Sequence, residues 1–222
     1  MKNILVVAAH GDDEVLGCGG TMARHAAEGD KVHVLILADG ISSRGELNGL
    51  EERNQASVEA AKIIGAEPPI LLGLPDNRLD TMPLLDIIQK IEPVVRDINP
   101  DIVYTHHGGD MNVDHIVTHR AALTACRPLP GAHFTAIYGF EVLSSTEWAS
   151  PDQGGGFFAV HHVDISDFLD RKMKALECYH AEMRPFPHAR SYESVRALAT
   201  VRGAQNGVIA AESFTLLRSV WR

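Results

Sequence analysis

The chain has 222 residues, 45% hydrophobic and 22% charged, which suits one ordinary globular domain over 1–222 and excludes global disorder or a collagen-like fibre. Twenty Lys and Arg against 29 Asp and Glu give a net charge of −9, which argues against the broad basic footprint of a nucleic-acid binder. Three cysteines, Cys18, Cys126 and Cys178, are odd in number and form no C-x-x-C pair, so no disulfide framework or thiolate zinc site is expected and a reducing cytoplasm fits best.

The opening NILVVAA is a continuous apolar run, the pattern of a parallel strand buried on both faces. It is too short for a signal core, and no later stretch approaches the ~20 apolar residues of a membrane span, so neither export nor a membrane partner is expected. Val15, Leu16, Met22 and Ala26 are spaced for a helix from about Glu14 to Glu28, which Gly29-Asp30 stops before a second strand, KVHVLILA. A helix from about Leu50 to Ile64, a strand near PILLGL, a helix after Met82-Pro83 and a strand at DIVYTH repeat the pattern. Pro83 suits a first helical turn and Asn99-Pro100 a stop. A helix over roughly His115 to Cys126 and a strand at AIYGFEV continue the series. The segment Ser144 to Gly156 is expected to loop over the top or an edge of the sheet. Beyond Phe157 the pattern reads as a strand pair, a helix from about Ser166 to Glu182, the turn RPFPHAR and a last helix. Strands alternating with helices predict an α/β fold with a Rossmann-like, doubly wound, mostly parallel sheet flanked by helices.

In such sheets ligands bind beyond the carboxyl ends of the strands. The first strand ends there in His10, Asp12, Asp13 and Glu14. A dinucleotide-binding turn carries glycines, so that the pyrophosphate can approach the backbone. Three carboxylates would repel it, and the later GCGG is weak support for such a cofactor. Carboxylates and an imidazole at a strand end suit a divalent cation, which offsets their mutual repulsion. Adjacent Asp12 and Asp13 cannot easily point the same way, so one can ligate while the other faces the bound water as a base. The plainer alternative is that these acids favour a helix N-terminus.

The second constellation, HHGGDMNVDHIVTH from His106 to His119, follows the DIVYTH strand with four histidines and two aspartates. A catalytic zinc commonly takes three protein ligands and leaves a fourth place for water. His10, Asp13 and one histidine of this cluster could supply them. His115 and His119 are spaced i, i+4, but Ile116 stands where an H-E-x-x-H protease carries its glutamate. His119 reads as a solvated or helix-packed residue.

Together AHGDDEVLGCGGT and HHGGDMNVDH resemble the PIG-L/LmbE-like family of zinc-dependent N-deacetylases, whose motifs are AHPDDE and a segment ending in H-x-D-H. The similarity extends to ERNQASVEAAKIIGAE, LGLPDNRL and the tail from PHARSYES onward, as in a bacterial branch of that family. The resemblance implies an LmbE-like fold, Zn2+ or another divalent metal held by His10, Asp13 and His115, Asp12 as general base, and Asp114 supporting the site. It implies that Arg53 lines a substrate or acetate pocket, and that the protein assembles as a homo-oligomer, a trimer or hexamer. Gly11 replaces the family proline. Asn112 stands where many members have a histidine that stabilises the oxyanion or protonates the leaving group. An amide can donate a hydrogen bond but delivers no proton, so His106, His107 and His188 are candidate substitutes, with His188 beside Arg190 in the PHARS turn.

The expected reaction is R-NH-CO-CH3 plus water giving R-NH2 plus acetate, on an N-acetylated amine of N-acetylglucosamine type, with the sugar implied by the resemblance. Trp148 and Tyr192 could stack on a ring but are more often packing residues. The rival readings are hydrolysis of another amide, ester or thiol-conjugate bond, a nucleotide-binding redox module, and an inactive metal-binding protein. Asp39, at the end of the second strand, favours the redox module.

Overall fold

The computed structural model describes residues 1–44, 49–150 and 156–221. Strands β1 (Asn3–Ala8), β2 (Lys31–Ala38), β3 (Ile70–Leu74), β4 (Ile102–His106), β5 (Ala136–Phe140), β6 (His161–Asp164) and β7 (Ala211–Ser219) form one sheet of order β3-β2-β1-β4-β5-β7-β6. The first five pair in parallel, and β7 runs antiparallel to both β5 and β6. Helices α1 (Asp13–Ala27), α2 (Leu50–Ile64), α3 (Leu84–Ile98), α4 (Val113–Ala125), α5 (Leu169–Glu177) and α6 (Tyr192–Ala204) connect and flank the strands.

Two-residue alternation along β1 divides the core. Ile4 and Val6 pack with Val15 and Met22 of α1, Ile64 of α2 and Leu176 of α5 on one face. Leu5 and Val7 pack with Ile87 and Ile91 of α3 and Ala121 of α4 on the other. Being apolar on both sides is why β1 reads as a continuous hydrophobic run. The order reverses between β1 and β4, so their carboxyl ends open a crevice at the switch point of the sheet. Both motif-bearing turns leave from that crevice.

The carboxyl-terminal part differs from expectation. HHVD forms a single strand whose partner is the final segment, with His161 opposite Phe214, so the strand pair beyond Phe157 closes across two helices rather than locally. Helix α5 ends at Glu177, and the turns after it carry Tyr179 and Glu182 toward the crevice. The expected loop Ser144 to Gly156 contains a short 3-10 turn at Thr146–Trp148, and its residues 151–155 lie outside the described residues.

The GCGG run also receives a structural meaning. Helix α1 is kinked at Cys18, where φ is −147° and ψ 25°. A Cβ on Gly17 would stand 2.3 Å from the Phe140 ring, and one on Gly20 would stand 2.7 Å from Ile165. These glycines let the helix lie close to its neighbours, with no phosphate required.

Candidate metal centre

Beyond β1 the chain turns through His10 and Gly11 into Asp12, whose φ of 126° is strained for a residue with a side chain and costs on the order of 1–3 kcal/mol. Such strain clusters at functional sites. Here the turn sends neighbouring carboxylates in different directions. Asp13 faces the imidazoles, whereas Asp12 accepts a 2.9 Å hydrogen bond from Arg190 Nη1 at its Oδ2 and lines a cavity. Burial raises the Asp12 pKa, against the pull of the Arg190 cation.

Asp13 Oδ2 lies 3.2 Å from His10 Nδ1 and 3.2 Å from His115 Nε2, and the two rings are 5.5 Å apart. The second nitrogen of each ring faces another acid. His10 Nε2 lies 3.1 Å from Asp114 Oδ2 and 3.2 Å from Asp76 Oδ1, and His115 Nδ1 lies 3.1 Å from Asp110 Oδ1. An outer carboxylate accepts the ring N–H and turns the lone pair of the other nitrogen inward. Three lone-pair donors, His10 Nδ1, Asp13 Oδ2 and His115 Nε2, then converge where a shared cation is needed to relieve them. His10, Asp13 and His115 are buried and offer ligand atoms within 4.8 Å of one another, and two imidazoles with one carboxylate suit a divalent ion. The same demand for positive charge shows in the pKa values. Burial opposes protonation of His115, yet Asp13 and Asp110 outweigh it and raise its pKa to about 9. Burial likewise opposes ionisation of Asp13, but His115 and His10 hold its pKa well below the usual carboxylate range.

The supporting acids are themselves fixed. Asp114 accepts the backbone N–H groups of Asn77 (2.7 Å) and Leu79 (3.0 Å). Asp110 accepts from the hydroxyls of Ser145 and Thr146 and from the Asn112 N–H. Asp76 accepts from the Ser43 hydroxyl. Although burial raises a carboxyl pKa, hydrogen bonds from His10 and Ser43 hold Asp76 at about 2. Asn112 caps α4, its Oδ1 accepting the Asp114 N–H at 2.8 Å, so only its NH2 end is left to donate.

A cavity of about 140 Å³ adjoins the centre and is lined by Asp12, Arg53, Asn112, Glu182 and Arg190 in addition to the three converging residues. Arg53 is no exposed helix arginine. Its Nη1 pairs with Glu182 and its Nη2 donates to the Gly11 carbonyl at 3.0 Å. Arg190 bridges Asp12 and the Ser144 hydroxyl.

Four other histidines, His106, His107, His119 and His188, stand apart from this cavity. His106 Nε2 accepts the Ala9 N–H at 2.9 Å, and its ring stacks on His115 at 4.0 Å. Burial and the neighbouring His115 push its pKa well below normal. The His107 ring meets Phe157 edge-on at 5.4 Å. His188 is exposed beyond Arg190, edge-on to Trp148 at 6.0 Å, and Trp148 itself is exposed. His119 Nδ1–H donates to the His106 carbonyl at 2.7 Å, as a helix-packed residue. Tyr192 packs against the core. Asp39 Oδ1 accepts the N–H groups of Ile41 and Ser42, so the feature that favoured a nucleotide-binding module serves its own turn.

Asp76, Asp110 and Glu182 were given no role by the sequence patterns. The first two lie inside stretches that resemble the family, LGLPDNRL and HHGGDMNVDH, whereas nothing around Glu182 signals its approach to Arg53.

A family model described as PIG-L, GlcNAc-PI de-N-acetylase, matches residues 5–126. The chain is 34% identical to the uncharacterized deacetylase YaiS of Escherichia coli, over 67% of this chain and 77% of that one. It is 31% identical to the 1D-myo-inositol 2-acetamido-2-deoxy-alpha-D-glucopyranoside deacetylase of Rhodococcus jostii, over 98% and 92%. A 4-oxalmesaconate hydratase of Pseudomonas putida is 28% identical over 80% and 72%. Among solved structures, the conserved protein TT1542 from Thermus thermophilus superimposes with a TM-score of 0.80 at 28% identity, over 100% of this chain and 97% of that one. With the family model spanning more than half of its length and both motifs meeting at one centre, this chain belongs to the PIG-L family.

Proposed function

We propose that the chain, acting as one domain over 1–222, is a metal-dependent hydrolase that removes the acetyl group from an N-acetylated amino sugar or sugar conjugate. The observation that carries this reading is the convergence of His10 Nδ1, Asp13 Oδ2 and His115 Nε2 in a cavity that is also lined by a carboxylate, Asp12, outside that set of ligand atoms. His10, Asp13 and His115 would hold the ion, taken to be zinc. When bound it supplies Lewis acidity that lowers the pKa of water and polarises a carbonyl.

The chain's own groups supply the rest. Arg190 occupies Asp12 Oδ2, leaving Oδ1 to take a proton from water as the new C–O bond forms at the acetyl carbon. The same carboxyl returns that proton to the amide nitrogen as the C–N bond breaks, giving R-NH2 and acetate. This dual role suits a cavity whose other histidines are the candidate ligands, because Asn112 carries no proton to give. The Asn112 NH2 and the guanidiniums of Arg53 and Arg190 are donors for the developing oxyanion, and loss of one such donor costs on the order of 10²–10³ in rate.

The hydratase among the relatives favours a second reading, addition of water to an unsaturated polycarboxylate. Electrostatics argue against it. Four carboxylates, Asp12, Asp13, Asp76 and Glu182, face two guanidiniums in the cavity wall, an environment that draws a divalent cation and a neutral amide rather than a polyanion. The charge of each guanidinium is already offset by an acid of the chain, although N–H groups remain to donate to a single oxyanion.

Acetate release from a panel of N-acetylated sugars, chito-oligosaccharides and aminoglycosides by the zinc-loaded protein tests the proposal. Cleavage of none of them, with turnover of an unsaturated polycarboxylate, overturns it in favour of the hydratase. The same reading carries a cytoplasmic homo-oligomer. No helix among the described residues is long and apolar enough to cross a membrane, and Cys18, Cys126 and Cys178 are free thiols. Light scattering on the purified protein counts the subunits.

A further inference from the structure

The break in α1 lies one turn beyond Asp12 and Asp13, and a buried ion pair sits in it. In an unbroken helix the N–H groups of Gly20 and Thr21 would be donated to the carbonyls of Leu16 and Gly17. Here Gly20 N–H donates to Glu212 Oε1 at 2.9 Å and Thr21 N–H to Glu212 Oε2 at 2.7 Å. The Leu16 carbonyl accepts instead from Lys172 Nζ at 2.8 Å, and Lys172 Nζ also donates to Glu212 Oε1 at 2.6 Å. The carboxylate therefore caps the amino end of the second helical segment, and the ammonium caps the carboxyl end of the first. Each is the charge that end of a helix prefers. Both side chains are 4% exposed. The Lys172 stem passes Gly19, where a Cβ would stand 3.3 Å from Lys172 Cγ.

A buried pair of this kind is not explained by stability alone, because removing two charges from water costs as much as their attraction returns, and apolar replacements often do as well. What an apolar pair cannot do is satisfy three backbone groups at a helix break and hold both segments at one angle. The first segment, Asp13 to Gly17, is little more than one turn and too short to hold its own direction. We propose that Lys172 and Glu212 are positioning residues, which set the direction of the Asp12-Asp13 turn by capping both sides of the break in α1. The proposal rests on the metal-centre reading for its effect on chemistry. It names residues from α5 and β7, remote in sequence from either motif.

The test compares Lys172→Met and Glu212→Asp with Ile91→Ala, a core substitution in α3 across the sheet, at matched loss of Tm. Two readouts are taken: zinc affinity by chelator competition, and amide hydrogen exchange over residues 12–17 in the metal-free protein. Lys172→Met is expected to weaken zinc binding roughly 10–100-fold, the usual effect of losing an outer support, and to speed exchange over 12–17 by about tenfold or more. Its kcat is expected to fall with KM held within about twofold, and Lys172→Arg restores both readouts. Glu212→Asp, too short to reach both N–H groups, is expected to lie between and decides the matter should Lys172→Met not fold. Exchange over 12–17 no faster than in Ile91→Ala overturns the proposal, as does parental zinc affinity in a variant whose exchange has risen. If the parent binds no divalent ion, the functional reading falls while the exchange data still decide the clamp.

Discussion

Asp110 Oδ1 lies 3.1 Å from His115 Nδ1, and the Ser145 and Thr146 hydroxyls hold the same carboxylate in place. That contact fixes which nitrogen of His115 turns toward Asp13. Asp110→Ala frees the ring to rotate and to change tautomer, and is expected to lower zinc affinity about 10–100-fold. Chelator competition measures this, and an unaltered affinity removes Asp110 from the support of the centre.

Asp12→Asn keeps the shape of the side chain and removes its ability to take a proton. Metal content is expected to remain that of the parent, because Asp12 is not one of the three converging ligands. Acetate release is expected to fall by roughly 10²–10⁴, the usual contribution of a positioned base. Metal analysis beside single-turnover assays separates the two effects, and retained turnover would exclude Asp12 as the base.

Removal of the ion by chelation is expected to abolish turnover and to lower Tm, since the buried acids around His10 and His115 then lose their counter-charge. An ion present at about 100 times its Kd stabilises by about 2.7 kcal/mol. For a chain of this size that corresponds to a shift on the order of 5–10 °C. Differential scanning calorimetry with and without zinc checks it, and coincident transitions contradict the assignment of the site.

Gly17→Ala places a methyl group against the Phe140 ring, where the clash distance is 2.3 Å. Neither α1 nor β5 can retreat without disturbing the packed sheet, so a loss of about 1–3 kcal/mol is expected. The midpoint of urea unfolding reports it. A neutral result shows that the ring can swing aside and that the glycine is not required for packing.

Much of the architecture is legible in the chain because it is locally encoded. The β1 run is apolar at every position since both its faces are covered, and Pro83 and Asn99-Pro100 bound α3 by their own backbone preferences. The order in which AHGDDE and HHGGDMNVDH follow their strands brings His10, Asp13 and His115 to one crevice, where Asp13 Oδ2 lies 3.2 Å from each ring. By contrast, β7 is not legible, because a strand at the edge of the local pattern is defined by the β5 and β6 neighbours that bracket it.

The amino-acid sequence by itself determined the alternation of strands and helices, and with it the end of the sheet at which acids and imidazoles gather. Only the tertiary structure decided which carboxylate serves which nitrogen. Asp76 reaches His10 from the loop after β3, Glu182 reaches Arg53 from the turn after α5, and Arg190 reaches Asp12 from the turn before α6. The physical reason is that hydrogen bonds and ion pairs act over about 3 Å, a distance unrelated to separation along the chain, so partners from distant segments are chosen only when the fold has brought them together.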